Sequence, residues 1–402
     1  MGLLSDLRVV EWGRLVSGPY CAKLLADLGA DVIKVEPPAG DPCRLEPPFP
    51  GDVPHPERSG LFQYLNTSKR GITLDLETAA GRGLLHQLLA QADLLVENQP
   101  RRLARRLGLD EPQLRRRYPG LVVASVSPFG RTGPYRDFQG TDLTLWAAGG
   151  FSHLTPRFAA DAAVAPLKVG GRQPEYLAGA NAAAGALCAL LARRALGRGQ
   201  QVDVSEQESV ASVLHGAVTK WSYQGQVASR VAQHMGAPNE AHLCKDGYMH
   251  LQCTEEHQWH RFVELMGTPE WSQLPVFATT HDRGENYDAF SLMVEDWSQR
   301  YTKQEILDQA AAARLPFAPL QTMAEVFQDP QVRYREAIVA VEHPEAGPVP
   351  MPGAPYKLSG EGAGSPWALR PAPRLGEHNL EVLERLGYSR ADCVRLRQMG
   401  AI

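Results

Sequence analysis

LRVVEWGRLVSGPYCAKLLADLGADVIKVE, residues 7–36, is the stretch that decides the fold. Apolar runs rich in valine and isoleucine, at residues 7–12 and 31–36, predict two β-strands. Between them, residues 20–28 have apolar side chains at helical spacing and end at Gly29, which predicts an amphipathic helix with a glycine cap. A strand, a helix and a second strand make a βαβ unit, so we expect a parallel sheet.

The same alternation continues along the chain. The predicted elements are a helix over 78–91, a strand over 92–98, a helix over 100–107, a strand over 121–127, a buried Ala/Leu-rich helix over 178–194, a strand over 200–205 and a helix over 206–223. After residue 225 a hairpin over 244–253 and helices over 257–267 and 301–313 predict a smaller α/β unit. Two further helices are predicted near the C-terminus, over 380–386 and 390–399. We therefore expect an α/β protein with segments 1–224, 225–330 and 331–402.

Composition excludes several classes of function. The chain has 402 residues and a formal net charge of −4, which indicates neither a nucleic acid nor an anionic membrane as partner. Its longest apolar run, residues 178–192, is too short and too rich in alanine and glycine to predict a membrane span. The six cysteines form no CxxC pair and the N-terminus lacks a signal-peptide pattern, so we expect a cytoplasmic protein.

Three motifs resemble ligand sites, but a purely structural explanation is favoured for each. The turn GRLVSGP with Glu36 resembles a dinucleotide fingerprint, but Gly13 and Gly18 do not match GxGxxG. Seven arginines over 101–117 predict mainly a solvated helix face, with one or two available to an anionic ligand. The two histidines of HQWH (257–260) have no third ligand in view, so we expect no metal site.

Glu175 is the unusual residue of the long helix. It follows Pro174 at the start of an apolar segment. An acid in the first turn complements the helix dipole, and a carboxylate in an enzyme site can act as a nucleophile. On position alone the first interpretation is favoured.

Several blocks of the sequence, in this order, resemble the class III CoA-transferases, the CaiB/BaiF family. The blocks are residues 8–44, 65–85 (LNTSKRGITLDLETAAGRGLL), 92–100 (ADLLVENQP), 105–137, 197–205 (GRGQQVDVS) and 373–388 (PRLGEHNLEVLERLGY). The resemblance implies a large Rossmann-like domain, formed by the N-terminal half and the C-terminal tail, with a smaller α/β domain inserted. It also implies that two ring-like chains interlock as a dimer.

The resemblance also implies the site residues. The positions that match its coenzyme A contacts are Val16, Ser17, Asn98 and Arg106. The family's nucleophile is an aspartate in a D-x-x-x-G pattern, and E-Y-L-A-G, which begins at Glu175, stands at that place here. The family's glycine-rich lid is replaced by residues 242–247. The family's racemases have a G-H-D triplet where this chain has Gly140-Thr141-Asp142, and the region of their second base matches that around Glu255. A carboxylate alone does not restore the pair of bases, so racemisation is not expected.

The function implied is transfer of CoA between a CoA thioester and a small carboxylic acid, with no metal and no redox cofactor. Glu175 would be the nucleophile, and we expect a homodimer. Two alternatives stay open. The chain is a non-catalytic CoA-binding subunit that pairs with an aspartate-bearing paralogue, or it is an acyl-CoA isomerase, lyase or hydratase with Glu175 as base.

Overall fold

The computed structural model describes residues 2–157, 159, 161, 163–231, 238–359 and 369–402. Its strands are β1 (Arg8–Trp12), β2 (Asp31–Glu36), β3 (Arg70–Thr73), β4 (Leu94–Glu97), β5 (Val122–Ser127), β6 (Gln201–Ser205), β7 (Asn239–Cys244), β8 (Gly247–Gln252), β9 (Ala318–Pro319), β10 (Ile338–His343) and β11 (Gly347–Pro352). Its helices are α1 (Ser17–Asp27), α2 (Gly60–Leu65), α3 (Ala79–Leu89), α4 (Arg101–Leu107), α5 (Glu111–Arg117), α6 (Asp142–Ala148), α7 (Gln173–Leu196), α8 (Glu206–Ser212), α9 (His215–Gln224), α10 (Glu256–Leu265), α11 (Thr280–Glu285), α12 (Tyr287–Ser298), α13 (Lys303–Ala312), α14 (Met323–Gln328), α15 (Pro330–Tyr334), α16 (Asn379–Arg385) and α17 (Arg390–Gln398).

The chain forms two compact units. The first comprises Met1–Ser152, Lys168–Val227 and Glu336–Ile402, and the second comprises His153–Leu167 and Ala228–Arg335. The C-terminal segment of the first unit joins it by backbone contacts, since Asp75 N–H donates to the carbonyl of Ala401 at 2.9 Å. The limits 1–224, 225–330 and 331–402 stay a prediction about domains.

A six-stranded parallel sheet is the centre of the first unit, which confirms the predicted α/β class. The strand order is β3-β2-β1-β4-β5-β6. All neighbouring strands are parallel, with Val9 opposite Val32 and Leu94. The order reverses between β1 and β4, and in open α/β sheets ligands bind at the carboxyl ends of the strands beside such a reversal.

Helices cover both faces of this sheet, so its strands are apolar on both sides. Val10 and Trp12 of β1 belong to a core with α3, α4, α5, α16 and α17. Val9 points to the opposite core, where the leucines and alanines of α1 and α7 pack. This alternation along β1 is the period of two that a strand requires.

Two predictions need correction. Helix α7 was expected to be buried, but only one side is: Ala178, Ala182 and Ala186 are fully buried, whereas Leu191 is 65% exposed. By length and composition α7 also resembles a membrane span, yet its alanines pack against α1 and β5 as in a core helix. The helix expected over 206–223 is broken at Val213 and Leu214 into α8 and α9.

The second unit has its own core. Strands β7, β8 and β9 form an antiparallel sheet. The hairpin predicted over 244–253 is present as β7 and β8, but it begins earlier, at Asn239. Aromatic residues of α10 and α12, among them Trp259, Phe262 and Phe290, pack on it. The histidines at 257 and 260 lie exposed on α10. Among the residues that the structure describes, no group of three or more His, Cys, Asp or Glu is placed to hold a metal ion.

Two buried lysines fix the turn between β1 and α1. The Lys34 ammonium group donates to Glu11 Oε1 at 2.9 Å, to Asp41 Oδ2 at 2.8 Å and to the carbonyl of Gly13 at 3.2 Å. The Lys69 ammonium group lies 2.7 Å from Glu11 Oε2 and donates to the carbonyl of Pro19 at 2.8 Å. An ammonium group has three N–H donors, and Lys34 uses all of them on acceptors around this turn.

Asp41 links this network to the backbone of the turn. Its Oδ1 accepts from the N–H of Leu15 at 3.0 Å and from the N–H of Cys43 at 2.9 Å. Leu15 has a φ of 56°, which is a costly backbone conformation for a leucine. Burial alone would lower the pKa of Lys34, but the carboxylates of Asp41 and Glu11 hold that pKa above its usual range. Lys34 therefore stays charged and keeps the strained turn in place.

Replacing Lys34 with methionine should destabilise the first unit strongly. The change keeps the length of the side chain but leaves Glu11 and Asp41 buried without their shared cation. We expect the free energy of unfolding to fall by about 3–5 kcal/mol. The matched change at the exposed Lys220 should leave it within about 0.5 kcal/mol. Urea unfolding followed by far-UV circular dichroism measures both; equal midpoints for the two variants would contradict this role of Lys34.

Candidate active site

An open cleft of about 390 Å³ lies at the carboxyl edge of the parallel sheet. Its walls come from the segments that follow four strands: Arg14, Leu15 and Ser17 after β1, Asn98 to Arg102 after β4, Ser127, Pro128, Arg131 and residues 136–140 after β5, and Glu206 after β6. Glu175 of α7 completes the lining. The cleft thus lies beside the reversal of strand order between β1 and β4, where the topology favours a ligand.

Glu175 stands in the first turn of α7. Its side chain is 12% exposed, and its Oε2 is buried without a hydrogen-bond partner among the described residues. The nearest cation is the Arg172 guanidinium, whose Nη1 is 3.6 Å from Oε2, while Arg172 Nη2 donates to Glu46 at 3.0 Å. Burial raises the pKa of Glu175 to about 7, Arg172 opposes this, and Glu206 and Asp142 add to it.

Three carboxylates meet at the starts of three helices. Asp142 is the first residue of α6, Glu206 is the first residue of α8, and Glu175 lies in the first turn of α7. The three helices pack against one another. Burial raises the pKa of Glu206 as well, with Asp142 adding to it and a hydrogen bond from Ser17 opposing it. The positive ends of the helix dipoles offset part of the repulsion between these three carboxylates.

Ser17 and Asn98, predicted from different parts of the sequence, lie together in this cleft. Asn98 Nδ2 donates to Ser17 Oγ at 3.0 Å and to the carbonyl of Arg14 at 2.8 Å. Asn98 Oδ1 accepts from the N–H of Arg14 at 2.8 Å. The Asn98 amide therefore joins the β1–α1 turn at Arg14 to the hydroxyl of Ser17.

The whole chain is similar to known proteins. The model of CoA-transferase family III matches residues 4–379. The chain belongs to CoA-transferase family III. It is 32% identical to the succinyl-CoA–D-citramalate CoA-transferase of Chloroflexus aurantiacus, over 98% of this chain and 96% of that protein. It is 35% identical to the succinyl-CoA:(R)-benzylsuccinate CoA-transferase subunit BbsE of Thauera aromatica, over 99% of this chain and 98% of that protein.

The fold agrees with a solved member of this family. A CaiB/BaiF family protein from Brucella suis superimposes with a TM-score of 0.85 at 30% identity, over 96% of this chain and 99% of that one. The predicted family is therefore confirmed, and so is the predicted class of enzyme, a CoA-transferase. The roles of individual residues in this family III chain stay predictions.

The other two residues predicted to contact CoA lie elsewhere. Val16 is fully buried in a small apolar cluster with Cys43 and Phe62, so its side chain faces the core rather than the cleft. Arg106 forms an ion pair with Glu77, and both side chains are about 60% exposed. The structure therefore brings Glu175, Ser17 and Asn98 together and places Val16 and Arg106 outside the cleft lining.

Two acids have surroundings in the structure that the sequence did not indicate. Glu36 resembled the acid of a dinucleotide fingerprint, but Arg44 occupies both of its oxygens at 2.7 and 2.8 Å. Glu206 was not selected, although it directly follows the strand QVDVS and so had to reach the carboxyl edge of the sheet. The predicted lid position, residues 242–247, contains the end of β7 and the hairpin turn before β8.

Gly179 lets α7 approach α1 closely enough to place Glu175 in the cleft. A Cβ at this position would lie 2.7 Å from the carbonyl oxygen of Ser17 and 3.1 Å from the Tyr20 ring. We expect Gly179→Ala to cost about 1–3 kcal/mol through overpacking. Gly83→Ala, in the interior of α3 with nothing within 4 Å of the new Cβ, should gain about 0.5–1 kcal/mol. Thermal unfolding measures both; a melting temperature for Gly179→Ala equal to that of the unsubstituted chain would contradict the close contact.

Proposed function

We propose that the chain transfers CoA from an acyl-CoA donor to a carboxylic acid, with Glu175 as the covalent nucleophile. The observation that carries the proposal is the position of Glu175: it lines a cleft at the sheet edge and has one buried oxygen free of hydrogen bonds. A carboxylate that is poorly solvated and has an oxygen free of hydrogen bonds is a stronger nucleophile than one in water. The names of the relatives from Chloroflexus and Thauera support succinyl-CoA as the first donor to test.

In the first half of the reaction, a carboxylate oxygen of Glu175 attacks the thioester carbonyl carbon. The bond between carbon and sulfur breaks, which leaves a mixed anhydride and the CoA thiolate. The thiolate then attacks the side-chain carbonyl carbon of Glu175 and releases the donor acid, so that the enzyme carries CoA as a glutamyl thioester. No proton is consumed in either step.

In the second half, the acceptor carboxylate attacks the glutamyl thioester and forms a second mixed anhydride. The released thiolate attacks the carbonyl carbon of the acceptor, which yields the new acyl-CoA and regenerates ionised Glu175. Backbone N–H groups at the start of α7 point along the helix axis toward this site and suit the oxyanions that form in each step. The Arg172 guanidinium, 3.6 Å from Glu175 Oε2, limits the rise in its pKa and so keeps a useful fraction ionised near neutral pH.

Trapping at Glu175 tests the nucleophile directly. After incubation with succinyl-CoA, hydroxylamine should convert Glu175 to a hydroxamate, which peptide mass spectrometry locates. Glu175→Gln should abolish both the label and the transfer activity. Glu175→Asp, which withdraws the carboxylate by about 1.5 Å, should lose on the order of 10²-fold in rate.

The matched control is Glu208→Gln, because Glu208 is an exposed acid on the neighbouring helix α8. This variant should label and turn over like the unsubstituted chain. Transfer activity without any label at Glu175 would overturn the proposed nucleophile.

Activity should rise with pH through neutrality. The nucleophile is the ionised form of Glu175, whose pKa is raised to about 7 mainly by burial. Below that pH the carboxyl is protonated and cannot attack, so kcat/KM should fall about tenfold per pH unit on the acid side. A pH–rate profile with saturating acceptor measures this; an acid limb centred near pH 4.5, as for an exposed glutamate, would contradict the raised pKa.

A second candidate function is a subunit role, favoured by one comparison. The relative from Thauera is named as a subunit and matches 99% of this chain. In that case the chain binds CoA and pairs with an aspartate-bearing paralogue, while Glu175 is not labelled. Conversion of an acyl-CoA without any acceptor acid would instead indicate the third possibility, with Glu175 as a general base.

The chain is also proposed to form a dimer, either with itself or with such a paralogue. The uncovered side of α7 supports this, since Leu187, Leu191 and Leu196 are 36%, 65% and 50% exposed. Interlocking of two chains stays part of this proposal, and so does a cytoplasmic location.

A further inference from the structure

Glu206 is a buried acid in the same cleft as Glu175. It begins α8, is 6% exposed, and lies at the carboxyl end of β6. The Ser17 side chain opposes the rise in the pKa of Glu206, and the Asn98 amide donates to the hydroxyl of Ser17 at 3.0 Å. Within the described residues Glu206 forms no ion pair with a basic side chain. A buried acid without a cation is expensive to keep ionised, so its place here needs a reason.

The neighbouring acids are compensated in a way that Glu206 is not. Asp142 forms an ion pair with Lys168. Glu175 has the Arg172 guanidinium at 3.6 Å, and Arg172 is itself shared with Glu46. Glu206 is thus the acid of this group whose charge acts on Glu175 without a counterion of its own.

We infer that Glu206 is a positioning residue for the transfer reaction: its carboxylate, held beside Glu175 by the Asn98–Ser17 chain, favours every state in which Glu175 is acylated. This inference rests on the proposed function of Glu175 as the nucleophile. It concerns a role for Glu206 that acts through Glu175 rather than by contact with the substrate.

The physical reason is relief of charge repulsion. When both groups are ionised, two carboxylates share a poorly solvated cleft, where like charges repel more strongly than in water. In the mixed anhydride and in the glutamyl thioester, Glu175 carries no charge, so the repulsion disappears. The same repulsion makes Glu175 more basic, which strengthens it as a nucleophile. Burial is the largest cause of the raised pKa of Glu175, and Glu206 adds to it.

Other charged groups around Glu175 do not explain this effect. Asp142 also raises the pKa of Glu175, but by less than Glu206 does, and it is paired with Lys168. On the opposite wall, the guanidinium group of Arg131 is paired with Glu97, and that of Arg101 is paired with Asp137. The remaining cations of the lining are Arg14, Arg102 and Arg136. Of these, Arg136 is paired with Asp137, and the cation that opposes the rise in the pKa of Glu175 is Arg172. The α1 side contributes the neutral Tyr20 ring, which packs on Tyr176.

The test is the pH dependence of Glu175 acylation, measured in single turnovers with succinyl-CoA and hydroxylamine trapping. Glu206→Gln keeps the size and hydrogen-bonding capacity of the side chain but removes its charge. We expect the acid limb to move to lower pH by about one unit, because ionised Glu175 is no longer opposed. The rate on the alkaline plateau should fall, because the less basic carboxylate is a weaker nucleophile. Glu208→Gln, the same change on the exposed side of α8, should leave the limb in place.

A second variant separates charge from packing. Glu206→Asp keeps the charge, so its acid limb should stay within a few tenths of a unit of the unsubstituted chain even if its stability is lower. If Glu175 is labelled in the unsubstituted chain and the limbs of Glu206→Gln and Glu208→Gln coincide, the inference about Glu206 is wrong while the proposed function stands. If Glu175 is never labelled, the proposed function fails and this inference fails with it.

Discussion

The ion pair between Lys34 and Asp41 is the interaction on which the site depends. Lys34 lies on β2 and Asp41 just after it, yet together they hold the turn that follows β1. Because Lys34 also binds Glu11 and the carbonyl of Gly13, the turn is fixed at its start and at its centre. The positive φ of Leu15 is a strain that this network has to outweigh. The start of α1, and with it Ser17 in the cleft, follows from that turn.

The cleft forms where the carboxyl ends of four parallel strands come together. Parallel strands bring the segments after β1, β4, β5 and β6 to one edge, and three helices begin nearby. Each helix start carries an acid: Asp142, Glu175 or Glu206. Helix starts stabilise negative charge, whereas burial and mutual repulsion destabilise it. For Glu175 the second effect is larger, which raises its pKa to about 7 and leaves a carboxylate that is ionised yet reactive near neutral pH.

Much of the fold could be predicted because local patterns and topology agreed. The apolar runs of the first unit and the glycine at 29 predicted strands and a helix that the structure contains. The sequence blocks that resemble the family predicted the correct class of enzyme. The short strand β3 (Arg70–Thr73) was missed, since four residues that include a glycine and an arginine show no strand pattern. The exposed side of α7 was also missed, because an Ala/Leu-rich sequence has little periodicity to separate its two sides.

The site was harder to predict than the fold, for a physical reason. Glu175 was identified by matching a family motif, and the residues next to it in sequence do not reveal that it is buried or that its Oε2 accepts no hydrogen bond. The placement of Glu206 near Glu175, and the contacts of Lys34 with Glu11 and of Asp41 with Leu15, join residues that are well separated in the chain. The sequence alone does not distinguish a buried lysine from an exposed one. The position of Glu206 directly after a parallel strand was the one available signal, and it points to the correct edge of the sheet.

The most direct test of Glu175 as the covalent nucleophile is to trace oxygen atoms through its carboxylate. The chain would turn over succinyl-CoA with a carboxylic acid from which it forms a new acyl-CoA, and that acid would be labelled with ¹⁸O in its carboxylate. The mechanism passes one acceptor oxygen to Glu175 in each cycle and then to the next succinate released. We therefore predict ¹⁸O in the peptide that contains Glu175 and in the free succinate. Formation of the new acyl-CoA with no ¹⁸O in either would contradict a covalent role for Glu175.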